Sequence, residues 1–137
     1  MTVETSELTL PSRIEAVNEA AAAVAEVLKR AGASEEAVFA IDMAVREAVT
    51  NAVLHGNKRD EAKAVRVNLK TSPDSLELSV HDEGTGFNPE AVPDPTAAEN
   101  IMKTSGRGIF FMRNFMDEVE WLIRPGGGTT VRMVKRF

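Results

Sequence analysis

The sequence predicts an α+β two-layer sandwich: a mixed, mainly antiparallel sheet with three helices on one face. Three observations lead there. Two long stretches repeat apolar residues at helical spacing, and a shorter one does so near the C-terminus. Short stretches alternate apolar and polar residues, as half-buried strands do. Local turns join those strands in pairs, in the order strand, helix, helix, two strands, loop, helix, two strands. The sheet face away from the helices must then be solvated or covered by a second subunit.

The opening element is a short strand over Ser6–Leu10, broken by Pro11. Ser12 and Glu15 fit a capping box, with Ser12 as N-cap. Ile14, Val17, Ala21, Val24, Ala25 and Leu28 follow at helical spacing, and Gly32 closes that helix. The alanine-rich middle, EAAAAVAEV, reads simply as strong helix former. Ser34, with Glu35 and Glu36 in the first turn, starts the second helix, and Gly56 ends it.

That second helix carries EAVTNAVLHGN, from Glu47 to Asn57. At about 100° per residue, Glu47, Asn51 and His55 drift by only about 40° each and form one polar stripe. Val38, Ile41, Val45, Ala48, Val49 and Ala52 make the adjoining apolar wedge. Polar groups at the edge of a core need partners, because desolvating them unpaired is costly.

Two strands come next. Val65, Val67 and Leu69 alternate with Arg66, Asn68 and Lys70; after TSPDS, Leu76, Leu78 and Val80 alternate with Glu77, Ser79 and His81. Asp82 shares the parity of Leu78 and Val80, so its carboxylate points to the core face. Buried carboxylates are rare without a partner, which marks Asp82 for a ligand or a specific contact. His81 has the opposite parity and is expected to be exposed. DEGTGFNP and a long, aperiodic, proline-containing stretch read as a lid loop. SGRG then feeds a short helix over IFFMRNFMDEV, and a glycine turn at a helix N-terminus offers backbone N–H groups to a phosphate. Strands over Val119–Ile123 and Thr129–Val134 flank RPGGG. Thr129 shares parity with Val131 and Met133 and should face inward.

Length and composition set limits. At 137 residues the chain is expected to be one domain, 1–137, with one core. Hydrophobic residues at 43% and charged residues at 27% are ordinary for a globular protein. No apolar run is long enough to span a bilayer, and MTVETSELTL lacks the build of a signal peptide. The absence of cysteine excludes disulfides and thiolate metal sites and suits the cytoplasm. A net charge of −5 argues against nucleic acid as a direct partner.

EAVTNAVLHGN resembles the N box of the Bergerat-fold nucleotide-binding superfamily, to which gyrase, heat-shock chaperone and histidine-kinase ATP domains belong. DEGTGF resembles its first glycine box, SGRGI its second and GGGTTV its third, in the family's order. Size, the E-A-V-T-N-A wording and NFMDEVE look most like the bacterial anti-sigma-factor serine kinases. The resemblance implies ATP and Mg²⁺ as cofactors, with Asn51 as the protein's metal ligand and Glu47 as general base. It implies Asp82 as acceptor for the adenine amino group, with Thr129 behind it. Gly84 and Gly86 would let backbone approach the nucleotide and hinge a lid over about residues 87–105. Gly106, Arg107 and Gly108 would cover the phosphates. Where such lids carry an arginine, this chain has Lys103-Thr104-Ser105, leaving Lys103 or Arg107 as substitutes. The expected partners are a sigma factor, an anti-anti-sigma protein and a second copy of the chain. Two other functions fit the same motifs: a nucleotide-dependent protein-binding module, and a simple ATPase in which Glu47 activates water.

Overall fold

A five-stranded sheet carries helices on one of its faces. The computed structural model describes residues 3–57, 60, 62–84, 114–123 and 128–137. Strands β1 (Glu4–Pro11), β2 (Ala64–Ser72), β3 (Ser75–His81), β4 (Glu118–Ile123) and β5 (Thr129–Arg136) lie in the order β1-β2-β3-β5-β4. Every neighbouring pair is antiparallel, so among the described residues the expected mixed sheet is wholly antiparallel. The connections explain it. Two helices, not one, separate β1 from β2, and the second returns the chain to run against β1. A single crossover helix would have made that pair parallel.

Those helices are α1 (Glu15–Ala31) and α2 (Glu35–Asn51), the latter continuing into one π turn, Ala52–Gly56. The three helices expected on the sheet therefore reduce to two α-helices among the described residues. Of the third, expected over IFFMRNFMDEV, residues 109–113 lie outside them; Asn114 and Phe115 are helical, but Met116 and Asp117 bend away and Glu118 and Val119 already belong to β4, so the helix ends earlier than expected.

Alternation in the strands builds the core. Val65, Val67 and Leu69 of β2, Leu76, Leu78 and Val80 of β3, and Val131 and Met133 of β5 are all buried on the helix side. The register sets Val67 against Val80, Leu78 against Met133 and Val80 against Val131. From α2 and the π turn, Ile41, Val45, Val49 and Val53 fill the other half, each fully buried. Helix α1 departs from expectation. Its buried seam is Ala16, Ala20, Ala21, Val24, Val27 and Leu28, while Ile14 is 53% exposed. The alanines are thus packing residues, small enough to let backbones approach closely.

The capping box does not form. Helix α1 starts behind Ile14 with no side-chain cap, and Ser12 is buried, its N–H bonded to the Lys63 carbonyl at 3.1 Å. That bond continues the β1–β2 ladder past its Pro11–Ala64 pair, holding Ser12 to the sheet and away from the helix start. Ser34 does cap α2, its hydroxyl accepting the Ala37 N–H at 3.2 Å.

The opposite sheet face is polar. His81 is half-buried there rather than exposed: its Nε2 meets the Asn68 amide nitrogen at 3.0 Å and its Nδ1 meets the Thr130 hydroxyl at 2.6 Å. Arg132 bonds Glu77 and lies 3.7 Å from both Glu118 and Glu120. None of the described helices is long and apolar enough to cross a membrane.

Candidate functional site

The site forms where β3 and β5 reach the end of α2. Asp82 leaves β3 and is clasped by the start of β5: its N–H donates to the Thr129 carbonyl at 3.0 Å. Its Oδ1 accepts two backbone N–H groups, from Gly84 at 3.0 Å and from Thr129 at 3.1 Å. Those two bonds occupy Oδ1, and no described residue donates a hydrogen bond to Oδ2. Burial pushes the Asp82 pKa above the usual aspartate range; the Gly84 and Thr129 N–H groups and the charge of Lys63 oppose that rise. The Oδ2 atom, to which no described residue donates, can accept from an amino group when the carboxylate is ionised.

Three glycines make the clasp possible. A Cβ on Gly56 would collide with the Asp82 carboxylate, and one on Gly84 would collide with the Gly56 carbonyl. Gly128 sits at φ 88°, where its N–H reaches the Gly84 carbonyl at 2.8 Å. Only backbone fits between the end of α2 and the two strand ends. Thr129 serves here through its main chain, which holds Asp82 from both sides.

The other expected residues divide plainly. Glu47 and Asn51 lie one turn apart near the end of α2, both half-buried. Gly86, Gly106, Arg107, Gly108, Lys103 and the 87–105 lid lie outside the described residues, as does the His55 side chain. Sequence reasoning missed Gly56, Glu83, Gly128 and above all Asn57, which is buried at the joint. The signal for Gly56 and Asn57 was the HGN ending of the second helix, while Glu83 and Gly128 lay unremarked within DEGTGF and GGGTTV. Among the described residues, no three His, Cys, Asp or Glu side chains come together as metal ligands.

Sheet and helix pair define a two-layer α+β domain, with the backbone-clasped aspartate at the edge of its core. The chain belongs to the histidine kinase-like ATPase domain family, whose model matches residues 10–135. It is 31% identical over 117 residues to an anti-sigma F factor of Oceanobacillus iheyensis, covering 84% of this chain and 80% of that one. An anti-sigma F factor of Clostridium perfringens is 35% identical over 99 residues, 71% of each chain. The fold resembles that of the RsbU and RsbW domains of a Mycobacterium tuberculosis protein, with a TM-score of 0.70 and 22% identity. That match covers 97% of this chain and 32% of the other, so this chain spans about a third of that protein. A second likeness is to the SiaB–SiaC complex of Pseudomonas aeruginosa, with a TM-score of 0.68, 13% identity, and coverage of 94% and 88%.

Proposed function

We propose that this domain is an ATP- and Mg²⁺-dependent serine protein kinase that restrains a sigma factor and phosphorylates an anti-anti-sigma partner. The observation carrying the nucleotide reading is the Asp82 clasp, in which no described residue donates to Oδ2, beside the end of the helix bearing Glu47 and Asn51. Family membership and relatives named anti-sigma F factors support the protein-kinase reading. Asp82 accepts from the adenine amino group. Gly84 and Gly86 let the backbone approach the nucleotide, and Gly106, Arg107 and Gly108 cover the phosphates below a lid over about 87–105.

Asn51 suits Mg²⁺, since its amide oxygen is a hard neutral ligand and that ion takes its remaining ligands from phosphates and water. A Mg²⁺ held there would supply neutralisation of phosphate charge. Glu47, one turn earlier, accepts the proton of a serine hydroxyl as its oxygen attacks the γ-phosphorus. The bond from that phosphorus to the β–γ bridging oxygen breaks, and ADP leaves. The protein works in the cytoplasm as a homodimer.

The test is labelled-phosphate transfer to a co-purifying acceptor, run beside ATP binding. Glu47→Ala should keep ATP binding while transfer falls by about 10²–10⁴-fold. Asn51→Ala should weaken Mg²⁺-ATP binding itself. Equal transfer by Glu47→Ala and wild type rejects the base assignment. No transfer by wild type to an authentic acceptor moves the reading to a nucleotide-dependent binding module.

A further inference from the structure

The joint between the π turn and the sheet holds a side chain that this reading does not use. Asn57 is 1% exposed. Its Oδ1 accepts the Glu83 N–H at 2.7 Å, and its Nδ2 donates to the Ala64 carbonyl at 3.0 Å. Its own N–H closes the π turn on the Ala52 carbonyl at 2.8 Å. Glu83 completes the joint from the other side, its Oε2 accepting the Ala64 N–H at 2.7 Å. The orientation of the carboxamide is fixed by its partners, one a donor and the other an acceptor, which it meets with two separate atoms.

The Glu83 peptide lies between Asp82 and Gly84, the residue whose N–H holds Asp82 Oδ1. The Glu83 N–H belongs to the Asp82–Glu83 peptide and the Gly84 N–H to the next one, so a displaced Glu83 would shift the Gly84 N–H relative to the carboxylate. The part-buried Glu83 N–H therefore ties the aspartate turn to the end of α2 through one side chain. We infer that Asn57 is the positioning residue for adenine recognition, locking the Asp82–Glu83–Gly84 turn to the helix that bears Glu47 and Asn51. One carboxamide thereby sets the distance between the base end and the phosphate end of a nucleotide. The inference rests on the reading of Asp82 as the adenine acceptor.

The test is selectivity, which a merely structural role would not move. Binding of ATP and of ITP, which carries a carbonyl where adenine has its amino group, is measured calorimetrically for wild type, Asn57→Ala and Asp82→Asn. Asn57→Ala should lower the ATP-to-ITP affinity ratio by about ten-fold, the scale of one charge-assisted hydrogen bond. ITP affinity should stay near wild type. A general weakening of the fold would lower both affinities together and leave the ratio unchanged, and that result overturns the inference. If Asp82→Asn also leaves the ratio unchanged, the adenine reading fails as well. If only Asn57→Ala leaves it unchanged, the positioning role alone fails. Thermal melting reports whether Asn57→Ala folds; where it does not, Asn57→Ser carries the same comparison. Failure of both variants to fold makes Asn57 a stability residue and overturns the inference.

Discussion

Asp82 was legible as a candidate site residue because strand parity alone aimed a carboxylate at the core. Its clasp was not legible, since three of its hydrogen bonds run to backbone groups whose side chains give no sign of them. Replacing the carboxylate tests the assignment: Asp82→Asn should weaken ATP binding by about 1–3 kcal/mol in calorimetry. Its raised pKa adds a dependence on pH. Between the unfolded value and the higher folded one, the folded chain keeps a proton that the unfolded chain has lost. The Asp82 contribution to stability therefore declines as pH rises through that window. Nucleotide binding runs the other way, because the amino group needs an ionised acceptor. As pH is lowered, ATP affinity should begin to fall at a higher pH than an ordinary aspartate would impose, and Asp82→Asn should flatten that dependence. A wild-type profile as flat as the variant's would remove the acceptor role.

Among the elements, the strands and α2 followed their periodicity closely, and the misreadings came where tertiary contacts overrode it. Alternation located β2 to within two residues at either end because one face is fully buried and the other polar. The seam of α1 shifted onto alanines because close packing selects small side chains, whereas apolar spacing weights large ones. Helical phase could not foresee the π turn, which requires only that the Asn57 N–H reach back to Ala52. That turn brings Gly56 against Asp82, so Gly56→Ala forces a methyl group onto the carboxylate. It should cost about 1–3 kcal/mol of stability as overpacking, and weaken ATP binding along with it. Gly32→Ala makes the control: it is strained at φ 71°, yet no atom lies within 4 Å of the added carbon. Chemical denaturation should find both variants destabilised, and calorimetry should find only Gly56→Ala impaired for ATP. Unimpaired binding in Gly56→Ala would mean that the carboxylate need not sit where it does.

For the whole molecule, the two-layer architecture was readable, since amphipathic strands and helices admit few other packings. Strand order was not, because nothing local says that β5 lies between β3 and β4. Polar cover on the outer face comes from the Asn68–His81–Thr130 chain and the acids around Arg132, although Asn68 Oδ1 is buried there with no hydrogen-bond partner among the described residues. Any self-association across it would be polar and salt-sensitive. Sedimentation at micromolar concentration should give a dimer that loosens as salt rises. A monomer at low salt, with and without ATP, would exclude the homodimer.

The Asp82–Thr129 clasp joins residues 47 apart in sequence, so it also fixes how the chain pays for folding. Closing a loop costs entropy that grows only logarithmically with length, about 0.6 kcal/mol for each doubling. The intervening segment is therefore free to change length across related chains with little effect on equilibrium stability. Folding speed is the quantity exposed, since β3 cannot meet β5 until that long excursion has closed. Ten flexible residues inserted near residue 95 should shift the denaturation midpoint slightly while slowing refolding in stopped-flow. Unchanged refolding with a large loss of stability would show that the segment is bound into the core.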